Sequence, residues 1–120
     1  MSKIDDLKEL LALLKDESSS PALSNCPMFG KRCLVRTYSA GVHIGTVTYV
    51  NPNNAMECTL TDALRLWKWE GGGLSLSSVA NNGIKGGRLN KTGEVHLTNA
   101  IEYIPTTNEA EKSYVRFIED

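Results

Sequence analysis

The chain reads as an α+β domain: a small antiparallel sheet of four to five strands, flanked by an N-terminal amphipathic helix and a short C-terminal helix. Three observations predict this. Ile4, Leu7, Leu11 and Leu14 recur at spacings of three and four residues, as one face of a helix requires. Between Cys33 and Ile104, runs enriched in β-branched and aromatic residues alternate with Gly, Asn and Pro turn signals. Thr106 and Glu109 then form a capping pair that opens a second helical pattern, with Ala110, Tyr114 and Phe117 on one face.

Taken in order, residues 1–27 form an amphipathic helix and its linker, and residues 28–120 form a ligand-binding β domain. Leu10 and Leu13 widen the apolar stripe of the first helix. That stripe buries itself either against the same domain or against a second copy in an oligomer, since two heptads do not establish a coiled coil. Glu17 to Pro27, with three consecutive serines and two prolines, reads as a linker. Cys33–Tyr38 and Val42–Val50 are strands joined across Ser39-Ala40-Gly41. Asn51-Pro52-Asn53-Asn54 is a turn. Met56–Leu60 and Ala63–Trp69 are two further strands. Gly71-Gly72-Gly73 breaks the chain, and Ser75–Ala80 is a short helix. Asn81-Asn82-Gly83 and Gly86-Gly87 mark a loop, Glu94–Ile104 is the last strand, and the terminal helix runs from about Glu109 to Ile118.

Composition narrows the function classes. A chain of 120 residues with 41% hydrophobic content buries one core. A net charge of -1 argues against a DNA- or RNA-binding protein, which needs a clear basic excess. The three cysteines, Cys26, Cys33 and Cys58, match no zinc or redox spacing and read as reduced thiols. No stretch approaches the roughly 20 apolar residues of a membrane span, and no signal peptide is visible. The expectation is a soluble protein retained in the cell that makes it.

The catalytic inventory is thin. His43 and His96 lie in expected strands with no acid at metal-ligand spacing beside them. No nucleophile elbow, P-loop or dinucleotide fingerprint is present. The sequence therefore points to a binder, not an enzyme, and predicts no metal and no cofactor. The arginines carry more information. In Ala63–Trp69, strand alternation puts Leu64 and Leu66 on a core face, and Ala63, Arg65, Trp67 and Trp69 on the other. A guanidinium between large rings suits a nucleotide: arginine forks onto phosphate oxygens, and tryptophan stacks on a base for about 1–3 kcal/mol. The same pattern also fits a second core or a subunit interface. Arg36 alternates with Leu34 and Tyr38, Arg88 sits in the Gly-rich segment where it can close over a ligand, and Arg116 lies on the last helix. Asn81, Asn82, Asn90 and Asn99 are polar readers for bases or sugars.

Three segments carry a resemblance: Val35 to Thr46 (VRTYSAGVHIGT), Ala63 to Trp69 (ALRLWKW) and Leu97 to Pro105 (LTNAIEYIP). Together they resemble small bacteriophage anti-defence sponges, in particular the first type of Thoeris anti-defence protein, over roughly Leu34 to Phe117. The resemblance implies a phage-encoded immune-evasion protein in the cytoplasm of the infected bacterial host. It implies sequestration, without cleavage, of a cyclic nucleotide-type messenger (a cyclic ADP-ribose isomer or a cyclic oligonucleotide). It also implies a homo-oligomer, dimer or higher, with ligand bound where protomers meet. The family's phosphate-binding arginines match Arg36, Arg65 and Arg116, and its ligand-contacting asparagine matches Asn99. Its base-stacking aromatic falls near Leu89, which is aliphatic here, leaving Trp67 or Trp69 as the stacking surface. Two other readings stay open: a protein–protein adaptor using the leucine helix and tryptophan face, and a small hydrolase or lyase acting on a nucleotide.

Overall fold

The computed structural model describes residues 26–71 and 75–119. Its elements are β1 (Arg32–Thr37), β2 (Val42–Asn51), β3 (Asn54–Glu70), α1 (Leu76–Asn82), β4 (Gly86–Leu97), β5 (Ala100–Pro105) and α2 (Asn108–Val115). The five strands form one sheet in the order β4-β3-β2-β1-β5, and every neighbouring pair is antiparallel. The chain is thus α+β, as expected. The N-terminal helix expected over Ser2 to Glu17 lies outside the described residues.

Three boundaries are corrected. The strands expected over Met56–Leu60 and Ala63–Trp69 are one strand of 17 residues, β3. The strand expected over Glu94–Ile104 is divided at Thr98-Asn99 between β4 and β5. The Gly-rich segment expected as a loop forms the first half of β4, with Gly86 and Gly87 paired to Glu70 and Trp69. A side chain at Gly87 would collide with the Lys68 carbonyl, so glycine here permits close strand approach.

β3 serves two cores, which is possible because its side-chain alternation reverses mid-strand. Cys58, Leu60 and Ala63 belong to one apolar cluster; Leu64 and Leu66 belong to the other. The reversal falls at Asp62, the one non-glycine described residue with positive φ (49°), where the β3–β4 register shifts between Leu60 and Ala63. This is a β-bulge, which bends a strand and increases its twist. On the N-terminal side of Asp62 the sheet curls around the cluster of Cys58, Leu60 and Ala63, and the Tyr103 hydroxyl of β5 donates to the Ala55 carbonyl of β3 at 2.7 Å. The curl is tight at β2: a Cβ on Gly45 would lie 2.9 Å from that of Leu60.

The two helices cover the other cluster, where Leu34, Ile44, Leu64, Leu66 and Leu89 meet Val79, Ala80, Ala110 and Tyr114. Ser75 caps α1, its hydroxyl accepting from the Ser78 amide at 3.1 Å. Thr107 caps α2, accepting from the Ala110 amide at 3.1 Å. The expected Thr106–Glu109 capping pair is therefore displaced by one residue. Thr106 instead donates to Glu111 Oε2 at 2.6 Å. Glu109 and Glu111 sit in the first turn of α2, where the helix dipole favours negative charge. The buried Tyr114 hydroxyl donates to the Val79 carbonyl at 2.6 Å, tying the helices together.

Arg32 joins the bulge to α2. Its Nη1 donates to the Asp62 carbonyl at 2.8 Å, and its Nη2 donates to Glu111 Oε1 at 2.9 Å. The pair is only partly exposed, with side-chain accessibilities of 29% and 23%, so it outweighs an ordinary surface ion pair. Arg32→Ala should lower unfolding stability by about 2 kcal/mol, as expected for losing charge-assisted hydrogen bonds at a half-buried site. Urea unfolding at neutral pH measures this, and an unchanged midpoint would show that the bulge holds without the clamp.

Candidate functional site

The most organised polar constellation lies on the face of β3 that carries Arg65 and Trp67. Antiparallel register places Arg65 opposite His43 on β2 and opposite Asn90 on β4. Arg65 Nη2 donates to the Ala40 carbonyl at 2.8 Å, and its guanidinium carbon lies 4.9 Å from the Trp67 ring centroid. This is cation–π geometry. Trp67 Nε1 donates to Asn90 Oδ1. The indole is thus fixed by its polar edge while 60% of the residue remains exposed. Among the described residues, no carboxylate pairs with Arg65.

The turn between β1 and β2 aims the Ala40 carbonyl. Thr37 Oγ1 accepts from the Ala40 amide at 2.8 Å and donates to the Gly41 carbonyl at 2.7 Å. Gly41 has φ 88°, which a side chain would resist. Asn99 secures the outer side of the turn: its Nδ2 donates to Ser39 Oγ at 2.7 Å, and its main-chain carbonyl accepts from the Tyr38 amide at 2.9 Å.

His43 supports the same carbonyl from below. It is 1% exposed, and its Nε2 lies 2.8 Å from the Ala40 oxygen. A carbonyl only accepts, so Nε2 carries the proton and Nδ1 is the bare nitrogen, buried without a donor among the described residues. Burial pulls the His43 pKa below its ordinary value, opposed by the Ala40 bond and assisted by the Arg65 charge.

Two shallow clefts meet at Trp67. One, of about 210 Å³, is lined by Ser39, Ala40, Gly41, Arg65, Leu66 and Trp67. The other, of about 290 Å³, is lined by Trp67, Arg88, Leu89, Asn90 and Glu119. Of the residues singled out in the sequence, Arg65, Trp67, Arg88, Leu89 and Asn90 are therefore brought together. Leu89 is fully buried and reaches the cleft only as part of its wall. Asn99 acts one step away, through the Ser39 turn.

Arg36 and Arg116 do not line either cleft. Arg36 pairs in register with Val42, which packs on the helix-covered cluster with Leu34 and Leu66. Arg65 lies across from His43 and Val35, on the opposite face. Within one chain the two guanidiniums are separated by the sheet, and Arg36 sits 3.5 Å from Glu102 in an exposed ion pair. Arg116 is exposed just past the end of α2. Trp69 is also corrected. A register shift between Leu66 and Lys68 breaks the alternation, and Trp69 packs on the helix-covered cluster instead of beside Trp67.

Residues 30–114 match the family described as a domain of unknown function, DUF6948. The chain belongs to the DUF6948 family. The matched span holds Arg36, Arg65, Trp67, Arg88, Asn90 and Asn99; Arg116 and Glu119 follow it. No curated protein and no solved structure matches the chain. Cys33 and Cys58 within the DUF6948 span, and Cys26 before it, are unpaired, and burial pushes the Cys33 thiol up to about 11. No group of acidic, histidine and cysteine side chains among the described residues is arranged to hold a metal, and no helix among them is long and apolar enough to cross a membrane.

One cluster escaped the sequence reading. Thr59 Oγ1 lies 2.8 Å from His96 Nδ1, His96 Nε2 lies 2.9 Å from Glu57 Oε2, and Asn51 donates to Glu57 Oε1 at 2.8 Å. The hydrogen bonds from Asn51 and His96 lower the Glu57 pKa. The order is hydroxyl, imidazole, carboxylate, but the imidazole side chain is 46% exposed on the outer side of the curl. Water there competes for the hydroxyl, whereas activated nucleophiles work in dry, preorganised sites. The cluster acts as a cross-strand tie between β3 and β4.

The buried neutral His43 makes stability pH-dependent. Its pKa is lower folded than unfolded, so the unfolded chain binds more protons below the ordinary value of 6.5. The contribution is complete above that value and is lost as pH falls toward the lowered folded value. Urea midpoints should drop between about pH 7.5 and about pH 5.5 in the wild type, and drop less in His43→Gln. An identical drop in both would assign the pH effect elsewhere.

Proposed function

We propose that this protein binds a phosphorylated, base-bearing messenger of the cyclic nucleotide class and holds it without cleaving it. The observation that carries this reading is the Arg65–Trp67 pair. Arg65 is a cation with no carboxylate partner among the described residues, and its direction is set by the Ala40 carbonyl. Trp67 is an exposed ring whose orientation is set by Asn90. Prepositioned groups lose little entropy on binding, which is where affinity is commonly gained. Guanidinium, indole and amide are recognition groups; none transfers protons near neutral pH.

The resemblance of Val35–Thr46, Ala63–Trp69 and Leu97–Pro105 to phage anti-defence sponges supports the messenger class. On this reading the protein acts in the cytoplasm of an infected bacterium, depriving a defence effector of its signal. Arg36 lies across the sheet from Arg65 and Arg116 lines neither cleft, so on this reading their role in binding requires a second protomer. The reading therefore includes a homo-oligomer whose ligand site is completed between copies.

An adaptor function is the second reading. It is favoured by the exposure of Tyr38 and Trp67, at 81% and 60%. The two separate by thermal shift against cyclic ADP-ribose isomers and cyclic di- and trinucleotides. A ligand that binds the folded state raises the melting temperature, whereas an adaptor shows no response. With a responding compound, Arg65→Ala should weaken binding about tenfold or more, with unchanged oligomeric state, because it removes charge-assisted bonds to phosphate. Recovery of the compound intact after heat release supports sequestration; an altered product would establish catalysis. Unchanged affinity in Arg65→Ala would remove this face from the site.

A further inference from the structure

The cleft beside Trp67 already contains an anion supplied by the chain itself. Arg88 Nε donates to Glu119 Oε2 at 3.0 Å, and its Nη2 lies 3.4 Å from Oε1. This is the two-pronged grip that guanidinium also offers to phosphate. Glu119 is delivered there by main-chain pairing. Leu89 donates its amide to the Phe117 carbonyl at 3.1 Å, and the Glu119 amide donates to the Leu89 carbonyl at 2.6 Å. The segment around Ile118 thus pairs in parallel with Leu89 on β4. Arg88 and Glu119 both line the 290 Å³ cleft with Trp67 and Asn90.

We propose that Arg88 is an anion subsite for a nucleoside diphosphate-like group, and that Glu119 occupies it as an intramolecular stand-in which the ligand's phosphate displaces. The inference rests on the binding function proposed above and adds a gate to it. The Arg88 and Glu119 side chains are 65% and 57% exposed, so their ion pair is weak and exchangeable. A diphosphate brings more negative charge than one carboxylate and can take the same donors. With Glu119 seated, the cleft turns away weak monovalent anions. When a diphosphate takes its place, the base lies within reach of the exposed Trp67 ring.

Calorimetric titration of the full chain with ADP, which carries a base and a diphosphate, tests this. Glu119→Gln removes the competing charge with little change of shape and should bind ADP about fivefold more tightly than the wild type, as expected for releasing an exposed ion pair. Arg88→Gln should bind more weakly, and the double variant no more tightly than Arg88→Gln. Equal or weaker ADP binding by Glu119→Gln overturns the gate. If Arg65→Ala then still loses ADP or a cyclic nucleotide, the binding function stands without the gate. Failure of both wild type and Glu119→Gln to bind ADP overturns the diphosphate subsite, and the cyclic nucleotide panel with Arg65→Ala decides the binding function separately.

Discussion

The bulge at Asp62 is the constraint on which the rest of the molecule depends. A regular strand offers one face to one core. β3 is long enough to cross the whole domain, and without a change of phase either Leu60 or Leu64 would face water. One residue in a left-handed conformation reverses the alternation, so the first half of the strand fills the curled cluster and the second half supports the helices. Such a conformation is costly for a residue with a side chain and persists only where its surroundings hold it. Arg32 supplies that hold by binding the Asp62 carbonyl while gripping Glu111 on α2. The bulge and the docking of the last helix are thereby one mechanical unit.

The candidate site follows from the same phase change. Once Leu64 and Leu66 point toward the helices, Arg65 and Trp67 must point away from them. The turn at Ser39–Gly41 then meets them on that side. Its carbonyl at Ala40 is shared by a buried imidazole and a half-buried guanidinium, both at 2.8 Å. A carbonyl oxygen has two lone pairs, so both bonds are satisfied at once. The consequence is a cation whose orientation is fixed without neutralising its charge. Arg36 and Arg88, by contrast, are each paired to a carboxylate.

Much of the fold was legible in the sequence because it rests on local signals. β-branched runs marked β1 and β2, Asn51-Pro52-Asn53-Asn54 marked the turn into β3, and the leucines at 64 and 66 marked a core face. What was not legible depended on pairing between distant residues. Met56–Leu60 and Ala63–Trp69 read as two strands because the polar step Thr61-Asp62 separates them; only pairing with β2 and β4 carries one strand through it. Gly86 and Gly87 looked like a loop for a similar reason. Simple alternation places Trp69 beside Trp67, which the shift after Leu66 defeats. For the site, Arg65 and Trp67 were visible as a pair on one strand. The Thr59–His96–Glu57 tie and the Arg88–Glu119 pair were not, since their members lie 31 to 39 residues apart.

The partners of Arg36, Arg65 and Arg88 bear on how the proposed site would meet a multiply charged ligand. Three unpaired guanidiniums in one concavity would repel each other and attract any polyanion in the cell. Here the charges are distributed: Arg65 rests on a carbonyl and a ring, Arg88 on Glu119, and Arg36 on Glu102 across the sheet. Each exposed carboxylate pairing is weak enough for a phosphate to replace it. On the proposed function, discrimination would follow from the number of anionic groups a ligand presents at once. A single carboxylate would gain nothing over the internal partner, whereas a diphosphate with an attached base would engage the Arg88 donors and the Trp67 ring together. Selectivity of this kind requires no enclosed pocket, which fits clefts as shallow as the two that meet at Trp67.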